Sequence, residues 1–461
     1  MILPLILNKE VEPMAIQIQK DIITLIDEKK YKEIIETVNG MQPFDIAALF
    51  EDMPEKYALL LFRIIPKDLA ADTFIEMDTD QQELLISSFS DSELQDVVNE
   101  IYIDDIVDIL EEMPANVVKR ILKNSNTHTR TTINEILKYP QNSAGSIMTT
   151  EFIGLRSGMT ITDAINQIRK KGMESETIDT CYVTDSVNHL IGIVTIKTII
   201  LSGEDVKISD VMDQNVISVS TNDDREEVAY LFLKYDLTVL PVVDKESRLV
   251  GIITVDDAID VLQGETTEDI VKMAAITPTH KPYLKNSVFE IWKSRIPWLL
   301  FLMISATFTG MIITRFENAL KAYVALTAYI PMLMDTGGNA GSQASVTIIR
   351  GLSLDELEFS DIFRIIWKES GVALLCGISL AAVNFLKLLL FDDVGVSVAL
   401  IVSFTLALTV LIAKFAGSTL PIAAKKAGFD PAVMASPFIT TIVDALSLLI
   451  YFKTASIILG I

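Results

Sequence analysis

The chain has 461 residues, half of them hydrophobic, with 22% charged residues and a formal net charge of −24. Residues 1–284 carry a net of −25 and residues 285–461 a net of +1, so an acidic soluble part is joined to an apolar membrane part. Acidity on this scale repels nucleic acid and anionic headgroups and attracts cations, which excludes DNA and RNA as partners, although solubility alone also accounts for it.

The opening MILPLIL is seven residues long, lacks a basic n-region and runs into Lys9-Glu10, so it is not read as a signal peptide. Residues 18 to about 137 read as short amphipathic helices with a loose repeat. Its copies are DIAALFEDMP at 45–54, DLAADTFIEMD at 68–78 and DDIVDILEEMP at 104–114, as in a superhelix of helical hairpins. Asp104, Asp105 and Asp108 form an acidic cluster in which Asp104 and Asp108 share a face by i,i+4 spacing. The two cysteines, Cys181 and Cys376, fall one in each part and form no disulfide framework, as in a cytosolic region. His128, His189 and His280 are too far apart in sequence for a finger-type zinc site.

From 138 the texture changes to β-branched runs alternating with helical segments. CYVTDSVNHLIGIVTIK at 181–197 aligns without gaps on LPVVDKESRLVGIITVD at 240–256, pairing Asp185 with Asp244 and Gly192 with Gly251. Each copy reads as strand, turn, strand and helix, preceded by a Met-containing segment around Met148 or Met212. This resembles a tandem pair of CBS domains, modules that often sense adenosine nucleotides. The second copy has Thr254 and Asp257, similar to the family's ribose-binding pattern. The first has Thr195 and Thr198, so its acid is missing and at most one ATP-type site per chain is expected. A pair that only scaffolds a dimer fits equally.

VDDAIDVLQGETTEDIVKMAA at 255–275 reads as one long acidic helix or two joined at Gly264, linking the two parts. Five apolar spans follow at 296–314, about 320–345, 370–391, 394–415 and 433–459, each long enough to cross a bilayer. Lys281, Lys285, Lys293 and Arg295, then Arg350, Arg364 and Lys368, then Lys425 and Lys426 mark cytosolic loops by the positive-inside rule. Arg315, Glu317 and Lys321, with Asp392 and Asp393, mark outer ones, which puts the N-terminal domains in the cytosol and the C-terminus outside a plasma membrane. Lys414 is expected to snorkel at the cytosolic end of its helix.

Asp444 lies roughly 16 Å along its helix from Val433, near mid-membrane, where an ionisable group is costly and marks a pathway. Thr440 and Thr441 offer hydroxyls on a similar face. In PMLMDTGGNAGSQAS, residues 331–345, Pro331 is expected to free a carbonyl and the glycines to allow close helix approach. Asp335, Asn339 and Gln343 recur at i,i+4 and present hard oxygens of the kind Mg²⁺ prefers.

The domain order and the stretch from Gly337 to Gln343 resemble the MgtE family of magnesium channels, as does Asp430-Pro431 followed by Asp444. The resemblance covers essentially the whole chain. It implies no enzyme but a multidomain membrane protein with a helical N domain (1–137), two CBS domains (138–202 and 203–262), a connecting plug helix (263–284) and a five-helix pore domain (285–461). It also implies a homodimer in the lipid bilayer with the pore on the two-fold axis. Asp444 would hold hydrated Mg²⁺, with Asn339, Gly337, Gly338 and Thr441 lining the path. Cytosolic Mg²⁺ would close the pore through Asp104 and Asp108, through Asp224, Glu226 and Asp236, and through Asp257, Asp260, Glu265, Glu268, Asp269 and Asp430.

Two alternatives come from other classes. A proton-coupled divalent cation exchanger could use Asp444 as a proton carrier, but no inverted repeat is visible. An intramembrane aspartyl protease would need a Gly-x-Gly-Asp motif, whereas Thr441-Ile442-Val443 precedes Asp444.

Overall fold

A computed structural model describes residues 17–51, 53–279, 283–316, 323–354, 356–392, 394–434 and 436–459. The MILPLIL opening, His280, Lys281, Glu317, Lys321 and Asp393 lie outside them. The chain forms two compact units, Met1–Leu262 and Gln263–Ile461.

The first unit begins with short helices, from 17–27 through Tyr31–Val38 to Thr127–Ile136. Helices two apart in sequence pack on one another, for example Pro43–Phe50 on Lys67–Ile75 and Asp91–Glu100 on Ala115–Asn124. The repeat is therefore a helical stack in which the main packing joins alternate helices, rather than the expected hairpins of successive helices. Its Met-Pro and Met-Asp signatures have a simple cause. Met53, Met77 and Met113 are buried in the core, and Pro54, Asp78 and Pro114 cap the next helix. Asp78 accepts the Gln81 N–H at 2.9 Å, satisfying an otherwise orphaned helix donor. We label Ile103–Glu112 of this series α1.

Two three-stranded sheets follow, β1 (Phe152–Arg156), β2 (Thr177–Thr184) and β3 (Leu190–Thr195), then β4 (Val219–Ser220), β5 (Val239–Val243) and β6 (Leu249–Thr254). In each the first pair is parallel and the second antiparallel, with helix α2 (Ile161–Lys171) or α3 (Arg225–Tyr235) crossing between them. The Met-containing entry segments are exchanged between the modules. Thr149 bridges Ile252 of β6, and Asp213 bridges Ile193 of β3. A Cβ on Gly251 would lie 2.7 Å from the Met148 sulfur, and one on Gly192 would lie 2.8 Å from that of Met212. The paired glycines make room for the other module's methionine.

After β6 the chain enters α4 (Val255–Met273), a single helix that runs through Gly264 without a break. Of the two readings of 255–275, one long helix is the one observed, and the boundary drawn at 263 falls inside it. The second unit holds α5 (Val288–Arg315), α6 (Ile330–Ser353), α7 (Ile362–Leu390), α8 (Val396–Lys426) and α9 (Ser436–Leu459). Four helical stretches, containing α5, α7, α8 and α9, are long and apolar enough to cross a membrane. The helices overrun the expected spans, so Arg350, Lys425 and Lys426 lie in last turns rather than loops. Pro331 sits in the first turn of α6, where no N–H is required, so it frees no carbonyl.

α6 is held by close approach. A Cβ on Gly337 would fall 2.7 Å from Thr409 Cγ2 and 2.9 Å from Val443 Cγ1, and one on Gly341 would fall 2.7 Å from Ile439 Cγ2. On α8, a Cβ at Gly417 would collide with the Gly341 carbonyl. Gly417→Ala is therefore expected to cost about 1–3 kcal/mol by overpacking, read as a lower thermal midpoint in detergent. Gly371→Ala, on the open side of α7, should leave the midpoint unchanged or raise it.

Candidate functional site

Two groups of polar side chains need an explanation that packing does not give. The first lies in the soluble unit. Asp104, at the start of α1, is 7% exposed and its Oδ1 has no hydrogen-bond partner among the described residues. Ile103 N–H donates to Glu151 Oε2 at 3.2 Å, and Thr149 Oγ1 donates to the same oxygen at 2.8 Å. The Glu176 N–H donates to the Glu151 carbonyl at 2.8 Å, and its buried Oε2 is unpartnered. From the second module, Asp257 accepts from Thr254 Oγ1 at 2.5 Å.

These carboxylates raise one another's pKa. Burial, then repulsion from Asp257, Asp105 and Glu176, holds Asp104 well above the usual range. Burial and the charges of Asp257 and Asp256 push Asp105 up to about 7. Burial, then Asp105, Asp256 and Asp257, does the same for Glu176, to about 7. Asp257 rises to about 6 through burial, against the stabilising Thr254 bond. The charges acting most strongly on Asp104, Asp105 and Glu176 are all negative. An acidic seam thus runs between α1 and both CBS modules.

Sequence reasoning marked Asp104, Asp108 and Asp257 here and missed Asp105, Glu151, Glu176 and Asp256 as site residues. Glu151 and Glu176 stand in connections with no periodicity, so only the fold brings them to α1. Asp108, one turn after Asp104 on α1, keeps an exposed side, yet burial of its carboxylate and then the charges of Asp257 and Asp105 push it up to about 7. Asp260 is exposed. Asp224 caps the start of α3 by accepting the Glu226 N–H at 2.9 Å, while Asp236 closes the other end in a left-handed conformation. Some 16 Å of helix separates Asp224 from Asp236, so one ion cannot bind both. Among the described residues, no three His, Cys, Asp or Glu side chains are gathered tightly enough to hold a metal on their own.

At the start of α4, the Thr254 N–H and Oγ1 both donate to Asp257 Oδ2, so the pair read as ribose-binding caps the helix. In the first module Thr195 and Thr198 pair at 3.0 Å instead, so the carboxylate is absent there.

The second group lies in the apolar unit. One face of α6 is buried through Leu333, Gly337, Gly338, Ala340, Gly341, Ala344 and Ser345. The other carries Asp335, Asn339, Gln343, Thr347 and Arg350, all exposed on the single chain. Asp444 is half-buried, and its Oδ1 has no partner among the described residues. Thr441 Oγ1 donates to the Pro437 carbonyl at 3.0 Å, and Thr440 abuts Gly338. Lys414 does not snorkel. It is 6% exposed, with Nζ 3.9 Å from Glu369 Oε2, because α8 is the most enclosed of the apolar helices.

The end of α4 packs within this unit. Ser353 Oγ donates to Asp269 at 3.1 Å, and Lys272 pairs with both Glu268 and Asp430. Glu265 lies one turn before Asp269 on the same helix.

Several helices long and apolar enough to cross a membrane, joined to a helical N-terminal domain and a CBS pair, are the arrangement of a multi-pass membrane protein. Its family match makes the class a divalent cation transporter. The family described as "Divalent cation transporter", MgtE, matches residues 330–454. The "MgtE intracellular N domain" matches 41–142, and the CBS domain matches 144–203 and 208–264. The chain is 33% identical over 458 residues to magnesium transporter MgtE of Thermus thermophilus, covering 97% of this chain and 99% of the relative. It is 31% identical to magnesium transporter MgtE of Bacillus subtilis, over 94% of this chain and 96% of the relative. A crystal structure of the cytosolic domain of the Mg²⁺ channel MgtE in complex with ATP matches with a TM-score of 0.50 and 30% identity, over 53% of this chain and 99% of that one. The chain belongs to the MgtE family of magnesium transporters, and it is a transporter rather than an enzyme.

The raised carboxylates predict a pH dependence. Folded values of about 7 for Asp105 and Glu176 and about 6 for Asp257 exceed the unfolded values near ~4. The folded state therefore binds more protons, and stability falls as pH rises from about 4 through about 7. In chelator, the soluble unit of the full-length protein should melt at lower temperature at pH 8 than at pH 5.5. Added Mg²⁺ should restore more at pH 8.

Proposed function

We propose that this protein is a Mg²⁺ channel that mediates magnesium uptake and is closed by cytosolic Mg²⁺. The observation that carries the reading is the polar stripe of α6. A row of Asp335, Asn339 and Gln343 facing lipid would leave hard polar groups unsatisfied at several kcal/mol each. Lined by water on the axis of a homodimer, the same row is satisfied. α6 then acts as the fifth span, short of apolar residues because it lines the path. This topology puts the soluble domains in the cytosol and the C-terminus outside.

In this reading Asp444 holds the ion in the pore, and Asn339, Gly337, Gly338 and Thr441 shape the path beside it. Mg²⁺ gives up water reluctantly, so carboxylate and amide oxygens would contact its hydration shell rather than strip it. Asp104 suits a regulatory cation, because its buried, unpartnered oxygen lies among like charges. Without metal the seam carboxylates repel, and Mg²⁺ between them favours the compact state. An ion that binds one state better shifts the population toward it, which is all that negative feedback requires. Asp108, Asp224, Glu226, Asp236, Asp260, Glu265 and Asp269 supply further carboxylates around the seam, the second module and α4. ATP is proposed at Thr254 and Asp257, where it would share Asp257 with Mg²⁺.

Two measurements test this. Liposomes carrying the protein should take up Mg²⁺ without an imposed proton gradient, and Asp444→Ala should abolish the flux or its selectivity. Normal Mg²⁺ conduction by Asp444→Ala would overturn the pore assignment, and a strict need for a pH gradient would favour exchange. Asp104→Ala and Asp257→Ala should each raise the cytosolic Mg²⁺ needed for half-inhibition, leaving a leaky pore.

A further inference from the structure

The last turns of α4 are fastened to the membrane helices, and the fastening contains its own cation. Lys272 Nζ lies 2.6 Å from Asp430 Oδ2 and also pairs with Glu268 one turn back on α4. Asp430 is fully engaged, because its Oδ1 accepts the Ala432 N–H at 2.8 Å. Beside the pair, Met273 packs on Ile349 and Ala432, and Asp269 accepts from Ser353. The Lys272 and Asp430 side chains keep only 26% and 34% of their surface exposed, so water screens the pair less than at an open surface.

Glu268 and Asp430 are two of the ligands that the family resemblance implies for Mg²⁺. In this chain an ammonium already bridges them, and a divalent ion would have to displace it. We infer that Lys272 is a built-in cation that docks the end of α4 on the membrane domain without metal, and that Glu268 and Asp430 form no Mg²⁺ site while it is docked. The inference rests on the reading of α4 as the segment that closes the pore. The Mg²⁺-dependent part of closure then falls to the seam, where Asp104, Asp105 and Glu176 have acidic rather than basic neighbours. Lys272 sets how much Mg²⁺ the seam must bind before the pore shuts.

The test uses the full-length protein in liposomes, with Mg²⁺ varied on the cytosolic side. Lys272→Gln should raise flux at the lowest Mg²⁺ and shift half-inhibition upward by about fivefold, the effect of losing an ion pair of roughly 1 kcal/mol. Lys272→Arg should keep the wild-type response. Asp430→Asn should match Lys272→Gln, and the double variant should shift no further, because both remove the same contact. An unchanged half-inhibition in Lys272→Gln, with the wild-type protein still inhibited, would overturn the latch and spare the gating reading. A downward shift would overturn it too, because the ammonium would then be competing with metal rather than docking the helix. Additive effects of the two substitutions would show that Asp430 acts apart from Lys272. A wild-type protein that Mg²⁺ does not inhibit would overturn the gating reading and this inference together.

Discussion

Carboxylates withdrawn from water repel one another unless a cation stands between them, and the soluble unit gathers them where two kinds of module meet. Asp104 and Asp105 arrive on a helix of the N-terminal repeat, Glu176 from the first CBS module, and Asp256 and Asp257 from the second. No packing force requires acids at that junction, and apolar residues would hold it more firmly. Their presence leaves like charges facing one another across that junction. The same excess of charge gives the N-terminal part its net of −25.

The membrane unit faces the opposite constraint, because the lipid core offers polar groups no partner. It meets this by dividing one helix into two faces. The glycines of α6 let Thr409, Val443 and Ile439 approach closely, which fixes its rotation and leaves Asp335, Asn339 and Gln343 together on the open side. Two sets of buried or half-buried charges in this unit are paired, Lys414 with Glu369 in its interior and Lys272 with Asp430 where α4 docks, while Asp444 Oδ1 has no partner among the described residues. Glu369 and Asp430 thus each have a fixed cation beside them, whereas the acids of the seam have other acids.

Much of the architecture was legible because it repeats or is periodic. The gapless match of 181–197 on 240–256 yields the two CBS modules, and their strand order follows from one copy to the other. Thr254 and Asp257 were readable as a pair because the acid follows the threonine at i+3, which resembles the ribose-binding pattern of CBS domains. The exchange of entry segments was not readable, although its marks were visible. Gly192, Gly251, Met148 and Met212 were all conspicuous, but nothing in the sequence says which methionine fills which glycine's space. Pro331 and Lys414 were misjudged for a related reason. A residue's cost in a helix depends on its distance from the helix end and on what faces it.

The sequence by itself determined the division into an acidic part and an apolar part, the repeats, and the i,i+4 row on α6. Each of these follows from composition or a fixed period along the chain. Only the tertiary structure decided which carboxylates share the seam, that Lys272 answers Asp430, and that Lys414 is buried against Glu369. Asp430 is 158 residues from Lys272, and Glu176 is about seventy from Asp105. Electrostatic energy depends on distance through space, and no local pattern encodes a separation that folding alone sets.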